Sequence, residues 1–411
     1  MADLSVKYAG MTFKNPLIAA SGPTTDGVDM IKAAADAGFA GVVLKSPGAK
    51  GFREQSMMKS VPRYKIVSRL DYSQPWTPRL GLDNMGLIVQ GESLSVWGDR
   101  YGEFIDQCKE AAGKDVLIGA SGLCSSKDIT SYDDAVEIAN RSKADFLEID
   151  LGYPRFYRDL NYAPELIKRL RAKTSLPLTV KIAPFLTDPI AVIKTLYNAG
   201  ADGICMFDIF LALDVDIETQ APLFKRTFPT VMMPEGMTLP YTLWALASTR
   251  MAGLDIGLSA SFGVWVWKDV IKCILSGADT VQTSRRVMVS GFEIATEWLR
   301  QMNNWLDDKG FKSLRELKGK ALDNIVDMPN VAKEIAVERG GVPSLLAVVD
   351  RDKCNGCTLC KKVCFYFAMK IDEDRIAYAE PSKCTACGLC IGTCAPEAIT
   401  LEERAAVLQT K

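Results

Sequence analysis

Near its carboxyl end the chain reads Cys354-Asn355-Gly356-Cys357-Thr358-Leu359-Cys360-Lys361-Lys362-Val363-Cys364, and the same spacing returns at Cys384, Cys387, Cys390 and Cys394. Three thiolates on one tight loop can bind three irons of a [4Fe–4S] cube, whereas the fourth cysteine of each run reaches the cube held by the other run. The doubled spacing therefore predicts a ferredoxin-like domain with two [4Fe–4S] clusters.

The predicted cluster ligands fall into two crossed sets: Cys354, Cys357, Cys360 and Cys394 for the first cluster, and Cys364, Cys384, Cys387 and Cys390 for the second. Zinc is one alternative, but zinc sites usually use two CxxC pairs or include histidine, and the chain has no histidine. Disulfides are another, but the residues after Met1 do not resemble a signal peptide. The lack of resemblance to a signal peptide, together with four further free thiols, predicts a cytoplasmic protein. Those thiols are Cys108, Cys124, Cys205 and Cys273.

Composition narrows the class of protein. A length of 411 residues with 48% hydrophobic residues suffices for about two or three domains with full cores. The 49 basic and 50 acidic residues leave no basic field for nucleic acid, and no apolar run reaches the about 20 residues that span a bilayer. We therefore expect a soluble globular protein with neither nucleic acid nor membrane as a partner. Without histidine, proton transfer must use Tyr, Cys, Lys, Asp or Glu.

The part of the chain before the cysteine motif alternates short apolar runs with longer amphipathic stretches. This alternation predicts parallel strands joined by helices, and eight such units in about 300 residues favour a (β/α)8 TIM barrel. An open doubly wound sheet is the alternative, but it would more naturally contain a GxGxxG turn, which the chain lacks. We predict a barrel in residues 1–310, a helical linker in 311–345 and the cluster domain in 346–411. The predicted strands are 17–20, 41–44, 116–119, 146–149, 178–180, 203–206, 255–258 and 279–281, and the helices include 133–141, 163–173, 189–199 and 267–275.

Polar residues follow nearly every predicted strand, at the barrel end where active sites of this fold lie. The end of burial alone explains any one of them. Eight together, with two lysines and two aspartates directed at one opening, predict a binding site. They are Ser21, Lys45, Ser121, Asp150, Lys181, Asp208, Ser259 and Gln282.

Five stretches of the barrel carry a resemblance: Asn15-Pro16 with Ala20-Ser21-Gly22, and residues 41–45, 81–86, 180–184 and 277–282. With the doubled cysteine motif, they resemble the flavin-containing part of dihydropyrimidine dehydrogenases, a branch of the dihydroorotate dehydrogenase family. The resemblance spans essentially the whole chain and implies FMN at the barrel opening, with Lys45 and Lys181 against its isoalloxazine ring. The phosphate would take backbone donors from Ser261 and Gly263 and charge from Arg285 or Arg286. The other flavin contacts would be Ala20, Ser21, Gly22, Asn84, Ser259 and Ser284.

The chain departs from this family at its catalytic positions. Where the resemblance implies an asparagine followed by Ser-Cys-Pro, the chain reads Asp150-Leu151-Gly152-Tyr153-Pro154, and a second asparagine is replaced by Asp208. Carboxylates do not match the donors and acceptors of a pyrimidine amide edge, which disfavours a pyrimidine substrate. We predict catalytic roles for Asp150, Tyr153, Lys181 and Asp208. Tyr153 would serve as the acid, unless it only packs on the flavin or closes the pocket.

These features lead to three functional hypotheses. The first is an FMN- and iron–sulfur-dependent oxidoreductase that reduces an activated C=C bond of a small anionic or phenolic substrate, bound by Arg155, Tyr157 and Arg158. The same three residues would equally suit an exposed loop. The second is a flavin-free electron-transfer subunit of a larger complex. The third is a dihydropyrimidine dehydrogenase with an altered active site.

The chain is also expected to need a redox partner. It has no nicotinamide fingerprint of its own. The resemblance implies that electrons come from a ferredoxin or from a partner subunit that carries FAD and an NAD(P)H site. We therefore expect a homo- or hetero-oligomer.

The cysteine assignment predicts about eight irons per chain after reconstitution. Cys354→Ala and Cys384→Ala should each lose about half of this iron, because each removes one ligand from one cube only. A colorimetric iron assay and electron paramagnetic resonance of the reduced protein measure the result. Cys108→Ala, a change outside the motif, is the control and should keep all the iron. Bound zinc or a single cluster in the wild type would contradict the assignment.

Overall fold

The structure is a computed structural model that describes residues 1–47, 64–68, 85–89, 97–122, 130–152, 157, 159, 161–184, 186–208, 211–212, 215–222, 231–232, 235–326 and 344–409. The chain forms two compact units, Met1–Asp323 and Asn324–Lys411. Four predicted site residues lie outside the described part: Asn84, Tyr153, Arg155 and Arg158.

Eight parallel strands close into a barrel in the first unit. Each strand pairs with the next one along the chain, and the last pairs with the first. The predicted TIM barrel is confirmed, and the open sheet is ruled out because the barrel is closed. The strands are β1 Leu17–Ala19, β2 Gly41–Val43, β3 Leu117–Gly122, β4 Phe146–Leu151, β5 Leu178–Ile182, β6 Gly203–Met206, β7 Gly257–Ala260 and β8 Thr280–Thr283.

Helices follow all eight strands and cover the outside of the barrel. Each buries one apolar stripe, as Ala163, Leu166, Ile167 and Leu170 do at helical spacing. This covering explains why the strands are apolar on both faces. The helices are α1 Val28–Asp36, α2 Tyr101–Ala112, α3 Thr130–Arg141, α4 Tyr162–Arg171, α5 Pro189–Asn198, α6 Glu235–Met251, α7 Trp267–Leu275, α8 Arg285–Ser290 and α9 Ile294–Asp308.

Short elements fill the connections between strands and helices. Antiparallel pairs join Tyr64–Ser68 to Met85–Val89, Leu211–Ala212 to Val231–Met232, and Val215–Asp216 to Ala221–Pro222. Single 3-10 turns cover Pro23–Thr25, Gly98–Arg100, Leu314–Leu317 and Leu322–Asn324.

An amino-terminal hairpin closes one end of the barrel. It pairs Val6–Tyr8 with Met11–Phe13. A Cβ atom on Gly203 would stand only 2.8 Å from the ring of Tyr8, and a Cβ atom on Gly41 would stand 2.7 Å from the ring of Phe13. The two glycines therefore leave the room that these rings occupy. Gly203 and Gly41 begin their strands, so these aromatic rings seal the amino end. A ligand must therefore enter at the carboxyl ends of the strands.

The barrel unit extends beyond residue 310, where the sequence predicted a linker to begin. Leu314 and Leu317 are fully buried in the barrel core, and Ser313 pairs with Asp3. Lys318 also forms an ion pair with Asp279. Residues 311–323 are thus part of the first unit.

The second unit repeats one local structure twice. Helices Leu359–Val363 and Leu389–Gly392 each follow a residue in the left-handed region, Thr358 (φ 66°) and Gly388 (φ 78°). These residues are 30 positions apart, the same interval that separates Cys354 from Cys384, so the repeated sequence gives a repeated backbone. The other elements are the pairs Leu345–Val349 with Ile399–Glu403 and Met369–Ile371 with Ala377–Ala379, and the helix Arg404–Gln409.

Candidate active site and cluster sites

A buried ion pair lies inside the barrel near the carboxyl ends of its strands. Lys181 Nζ on β5 is 2.9 Å from Glu148 Oε1 on β4, and both side chains are at most 3% exposed. Gln282 Nε2 on β8 donates to Glu148 Oε2 at 2.6 Å. Burial opposes the ammonium charge, but the carboxylates of Glu148, Asp208 and Asp150 outweigh it and raise the pKa of Lys181 above its usual value. Lys181 is therefore a fixed positive charge.

Strand register explains why distant residues converge on Lys181. Asp150 pairs with Lys181, Lys181 with Cys205, and Cys205 with Ser259. Paired residues on neighbouring parallel strands point to the same face. Since Lys181 points inward to Glu148, the side chains of Asp150, Cys205 and Ser259 also face the barrel interior. One level of the barrel thus collects polar groups from four strands.

Two carboxyl groups flank Gly152 at the ends of β4 and β6. Asp150 Oδ1 accepts a hydrogen bond from the Gly152 amide at 2.8 Å. A Cβ atom on Gly152 would stand only 2.3 Å from Asp208 Oδ2, so glycine is needed here for Asp208 to pack closely. Burial and the charge of Asp208 raise the pKa of Asp150 to about 7, although Lys181 and the Gly152 amide oppose the shift. The Asp150 carboxyl group therefore loses its proton less readily than an exposed aspartate.

Tyr157 is the one predicted substrate residue within the described chain, and it lies near this carboxyl pair. Its hydroxyl oxygen is enclosed and makes no hydrogen bond of normal geometry to the described residues, although the Ala183 backbone is close enough to lower its pKa slightly. Burial is the main effect, and with the charges of Asp150 and Asp208 it raises the pKa of Tyr157 well above its usual value. Tyr157 is therefore a neutral hydrogen-bond donor.

The loop after β1 places further predicted residues near the end of β8, and Lys45 follows β2. The Ala20 amide donates to the Thr283 carbonyl at 2.9 Å. Gly22 leaves room for Ser284, whose Oγ would stand 2.3 Å from a Cβ atom at that position. Lys45 is buried, with 6% of its surface exposed.

Three buried polar atoms at the ends of β7 and β8 have no hydrogen-bond partner among the described residues: Ser259 Oγ, Gln282 Oε1 and Thr283 Oγ1. Buried polar atoms are normally paired, so such a group indicates a place where a ligand or water supplies the missing partner. Gln282 is bonded to Glu148, and Ser259 faces the barrel interior as Lys181 does, whereas Thr283, the residue after Gln282, lies on the other face of β8. Ser259 and Gln282 fit the polar edge of a bound flavin.

The predicted phosphate loop is only partly suited to its role. The Ser261 amide donates to the Met206 carbonyl at 2.5 Å, so it is already engaged within the protein. Gly263 has a φ of 90°, and a Cβ atom there would be 2.3 Å from the Leu239 amide nitrogen, so packing alone requires this glycine. Positive charge remains. Arg285 lies 5.7 Å from the centre of the Phe262 ring.

Two cavities in the second unit collect the eight motif cysteines in the crossed sets predicted from their spacing. Their volumes are about 350 and 340 Å³. The Ala398 amide donates to Cys394 Sγ at 3.3 Å, the kind of bond that tunes a cluster sulfur. The first cavity is lined by Cys364, Cys384, Cys387 and Cys390, and the second by Cys354, Cys357, Cys360 and Cys394.

Each cavity has the number and type of ligands that a cube requires. Four cysteines line each one, and a [4Fe–4S] cube is held by four thiolates. The residues present therefore fit iron–sulfur cubes.

Glu148 is the functional residue that sequence reasoning missed. It lies within the predicted strand 146–149, between apolar neighbours, and is 1% exposed. A carboxylate inside a buried strand is rare unless it is paired, so the signal was present. Its partners, however, come from two other strands: Lys181 is brought close by the pairing of β4 with β5, and Gln282 on β8 reaches it only when the barrel closes.

Comparison with known proteins agrees with a flavin-dependent oxidoreductase built on this barrel. Residues 3–306 match the family model described as dihydroorotate dehydrogenase, so the chain belongs to that family, whose members bind FMN. In the part of the chain that the structure describes, no helix combines the length and apolar character needed to cross a membrane.

Curated relatives are similar to one or both units. The NAD-dependent dihydropyrimidine dehydrogenase subunit PreA of Escherichia coli K12 is 25% identical over 380 residues, covering 88% of this chain and 85% of the relative. Catalytic subunits of dihydroorotate dehydrogenase B (NAD(+)) are 26% identical over 330 residues in Pyrococcus abyssi and 25% over 334 in Thermoplasma acidophilum. Each of these covers 78% of this chain, with 99% and 100% of the relative. The PreA match exceeds the 323 residues of the first unit, so it extends into the second.

Glu148→Ala should reduce the free energy of unfolding by about 3–5 kcal/mol, because it leaves the buried Lys181 ammonium without its partner. Urea denaturation at pH 7 measures the change. Adding Lys181→Met to this variant should restore most of the stability, since no buried charge then remains unpaired. The control is Lys143→Ala, which breaks an exposed pair with Glu110 and should leave the free energy of unfolding nearly unchanged. Equal losses from Glu148→Ala and the control would contradict the structural role of the pair.

Proposed function

We propose that the chain is an FMN- and iron–sulfur-dependent oxidoreductase in which the clusters exchange electrons with the flavin and an activated C=C bond of a small anionic or phenolic substrate is reduced. The observation that carries this proposal is the group of unpartnered atoms on β7 and β8 beside the fixed charge of Lys181. The same chain contains two cavities lined by four cysteines each.

The residues that would hold FMN come from the ends of four strands. Lys181 and Lys45 would face the isoalloxazine ring, while Ser259 and Gln282 would supply hydrogen bonds. FMN, when bound, links one-electron transfer to hydride transfer. Lys181, kept charged by Glu148, would stabilise negative charge that develops beside it. The rings of Tyr8 and Phe13 close the amino end of the barrel and would keep water from reaching the site from that end.

Electrons would enter through the cluster unit. Cys357 and Cys387 are exposed, which places each cubane site close to the protein surface. We infer a partner that delivers electrons there, either a ferredoxin or a subunit with FAD and an NAD(P)H site. The name of the Escherichia coli relative, a subunit of an NAD-dependent enzyme, supports a partner of the second kind.

The substrate would lie over the carboxyl ends of β4 and β6. Tyr157 would donate a hydrogen bond from its neutral hydroxyl group. Arg155 and Arg158, which lie outside the described residues, would supply positive charge for an anionic group. Asp150 and Asp208 replace the asparagines implied by the family resemblance, so a pyrimidine amide edge would meet acceptors where it needs donors.

A flavin-free electron-transfer subunit is the second candidate function. It is favoured by the engaged Ser261 amide and by the packing of Gly263 against Leu239, which together reduce the donors available to a phosphate. The two candidates differ in one property, which is the binding of FMN.

The wild type should bind FMN more tightly than riboflavin, because Arg285 adds a charge-assisted contact to the phosphate. Arg285→Ala should weaken FMN binding by about tenfold and leave riboflavin binding unchanged. Quenching of flavin fluorescence measures both affinities. The control is Arg141→Ala, which removes an exposed arginine paired with Glu137 at the end of α3 and should change neither. If the wild type binds neither flavin, the electron-transfer subunit replaces the proposed oxidoreductase.

A further inference from the structure

The two halves of the cluster unit differ in charge, although they repeat the same cysteine spacing at an interval of 30 residues. Residues 353–371 surround the first four motif cysteines and contain four lysines and no acidic residue, a net charge of +4. The equivalent residues 383–401 contain one lysine and one glutamate, a net charge of 0. Because both halves hold four motif cysteines, the binding of a cluster does not account for the difference.

Five exposed side chains on either side of Cys364 distinguish the first half from the second. Two are lysines of the helix Leu359–Val363, and neither forms an ion pair with another residue in the part of the chain that the structure describes. Three are the consecutive aromatic residues that follow Cys364. We call this group the Lys–aromatic face: Lys361, Lys362, Phe365, Tyr366 and Phe367. The equivalent positions of the second half carry Ile391, Gly392, Ala395, Pro396 and Glu397.

The aromatic part of this face is large for a surface feature. Phe365 is 61% exposed, Tyr366 42% and Phe367 73%, and the ring centres of Phe365 and Tyr366 are 4.3 Å apart. An aromatic side chain presents roughly 200 Å², so the three together leave roughly 350 Å² exposed. This area is comparable to the largest apolar patch of a typical monomer, and such patches often mark interaction sites.

Tyr366 connects the face to one cluster site in particular. It lines the cavity that Cys364, Cys384, Cys387 and Cys390 also line, and its side chain is exposed as well. A protein that covers the face therefore comes within one side chain of that cavity. Since the rate of electron transfer falls steeply with distance, this is a suitable place for an electron to enter.

Charge and area indicate what kind of molecule fits the face. Carboxylates on a partner would complement the two lysines. Transient electron-transfer contacts bury less than about 1,200 Å² in total, whereas permanent subunits bury about 2,000 Å² or more, so a face of this size suits a transient partner. A twofold dimer buries the same patch on both subunits, so a second copy of the chain on this face would bring lysines against lysines.

We propose that the Lys–aromatic face is the docking surface for a small, acidic electron-carrier protein of the ferredoxin type. This inference rests on the proposed function and specifies its partner. The reduced carrier would lose one electron, and the cube held by Cys364, Cys384, Cys387 and Cys390 would gain it, with no bond formed or broken and no proton moved. Two such transfers supply the two electrons that a flavin needs for hydride transfer.

Charge reversal tests the role of the lysines. The probe is a plant-type [2Fe–2S] ferredoxin, an acidic protein, titrated calorimetrically into the reconstituted full chain. Lys361→Glu with Lys362→Glu should weaken its binding at least about tenfold, because carboxylates would then face carboxylates. The matched control, Lys168→Glu with Lys194→Glu, makes the same change of charge on exposed lysines of α4 and α5. Its affinity should stay within about twofold of the wild type at an ionic strength of about 0.1 M, where distant charges are screened.

Removal of two rings tests the aromatic part of the face. Phe365→Ala with Phe367→Ala should also weaken ferredoxin binding at least about tenfold, since a few aromatic anchors carry most of the binding energy of an interface. The control is Tyr197→Ala, which removes a 41% exposed ring from α5 and should leave the affinity unchanged. Iron content and melting temperature equal to those of the wild type show that each variant still folds.

Two cysteine variants test where the electron enters. Cys354→Ala should keep the cube beside Tyr366, and Cys384→Ala should keep the other cube. Each protein, without FMN, is mixed with reduced ferredoxin in a stopped-flow spectrometer. Cys354→Ala should retain the rapid phase of cluster reduction that the wild type shows, and Cys384→Ala should lose it. A rapid phase in both variants, or in Cys384→Ala alone, would contradict entry beside Tyr366.

Other results would overturn the docking surface itself. These are no saturable ferredoxin binding by the wild type, or equal binding by the wild type and the variant with both lysines reversed. A dimer in analytical ultracentrifugation that the Phe365 and Phe367 changes abolish would assign the face to a second copy. Cosedimentation with phosphatidylglycerol vesicles that the lysine reversal abolishes would assign it to a membrane surface.

These measurements need no flavin, so the docking surface and the proposed function can fail separately. Ferredoxin binding by a chain that does not bind FMN would refute the proposed oxidoreductase and leave the docking surface standing. FMN binding by a chain that does not bind ferredoxin would refute the docking surface alone.

Discussion

The Lys181–Glu148 ion pair is the interaction on which the interior of the barrel depends. Burying two charges costs the free energy of their hydration, and this cost is offset only by their mutual attraction and by further hydrogen bonds. Here Gln282, from across the barrel, donates a hydrogen bond to the second oxygen of the Glu148 carboxylate. Apolar residues of similar volume would be at least as stable. The pair is therefore better explained by what it does for the opening above it, where it fixes a positive charge that cannot move or titrate.

The rest of the site follows from that charge. Lys181 shares its level of the barrel with Asp150 on one neighbouring strand and with Cys205 and Ser259 on the two strands of its other side, and the charges of Asp150 and Asp208 both raise its pKa. A group that accepts electrons becomes negative, and this ammonium would stabilise it. The second unit adds two cysteine-lined cavities to the same chain. Electron supply and a flavin site would thus be covalently linked.

Much of this arrangement was predictable because local chemistry determines it. Cysteine spacing is set by the shape of a cube, and the alternation of strands and helices is set by burial, so both appear directly in the sequence. The partners of Glu148 were not predictable, since Lys181 reaches it through the register of β5 against β4, and Gln282 reaches it only through closure of the barrel. The engaged amide of Ser261 and the buried position of Leu314 were missed for the same reason. Each depends on which distant segment packs against it.

The central claim is that one chain holds both a flavin and two clusters. Anaerobic titration of the reconstituted protein with dithionite, followed by absorbance, tests it most directly. The account predicts uptake of about four electron equivalents per chain, two by the cubes and two by a chromophore that bleaches at about 450 nm and is released by acid. Uptake of about two equivalents, with no acid-released flavin after incubation with excess FMN, would contradict it.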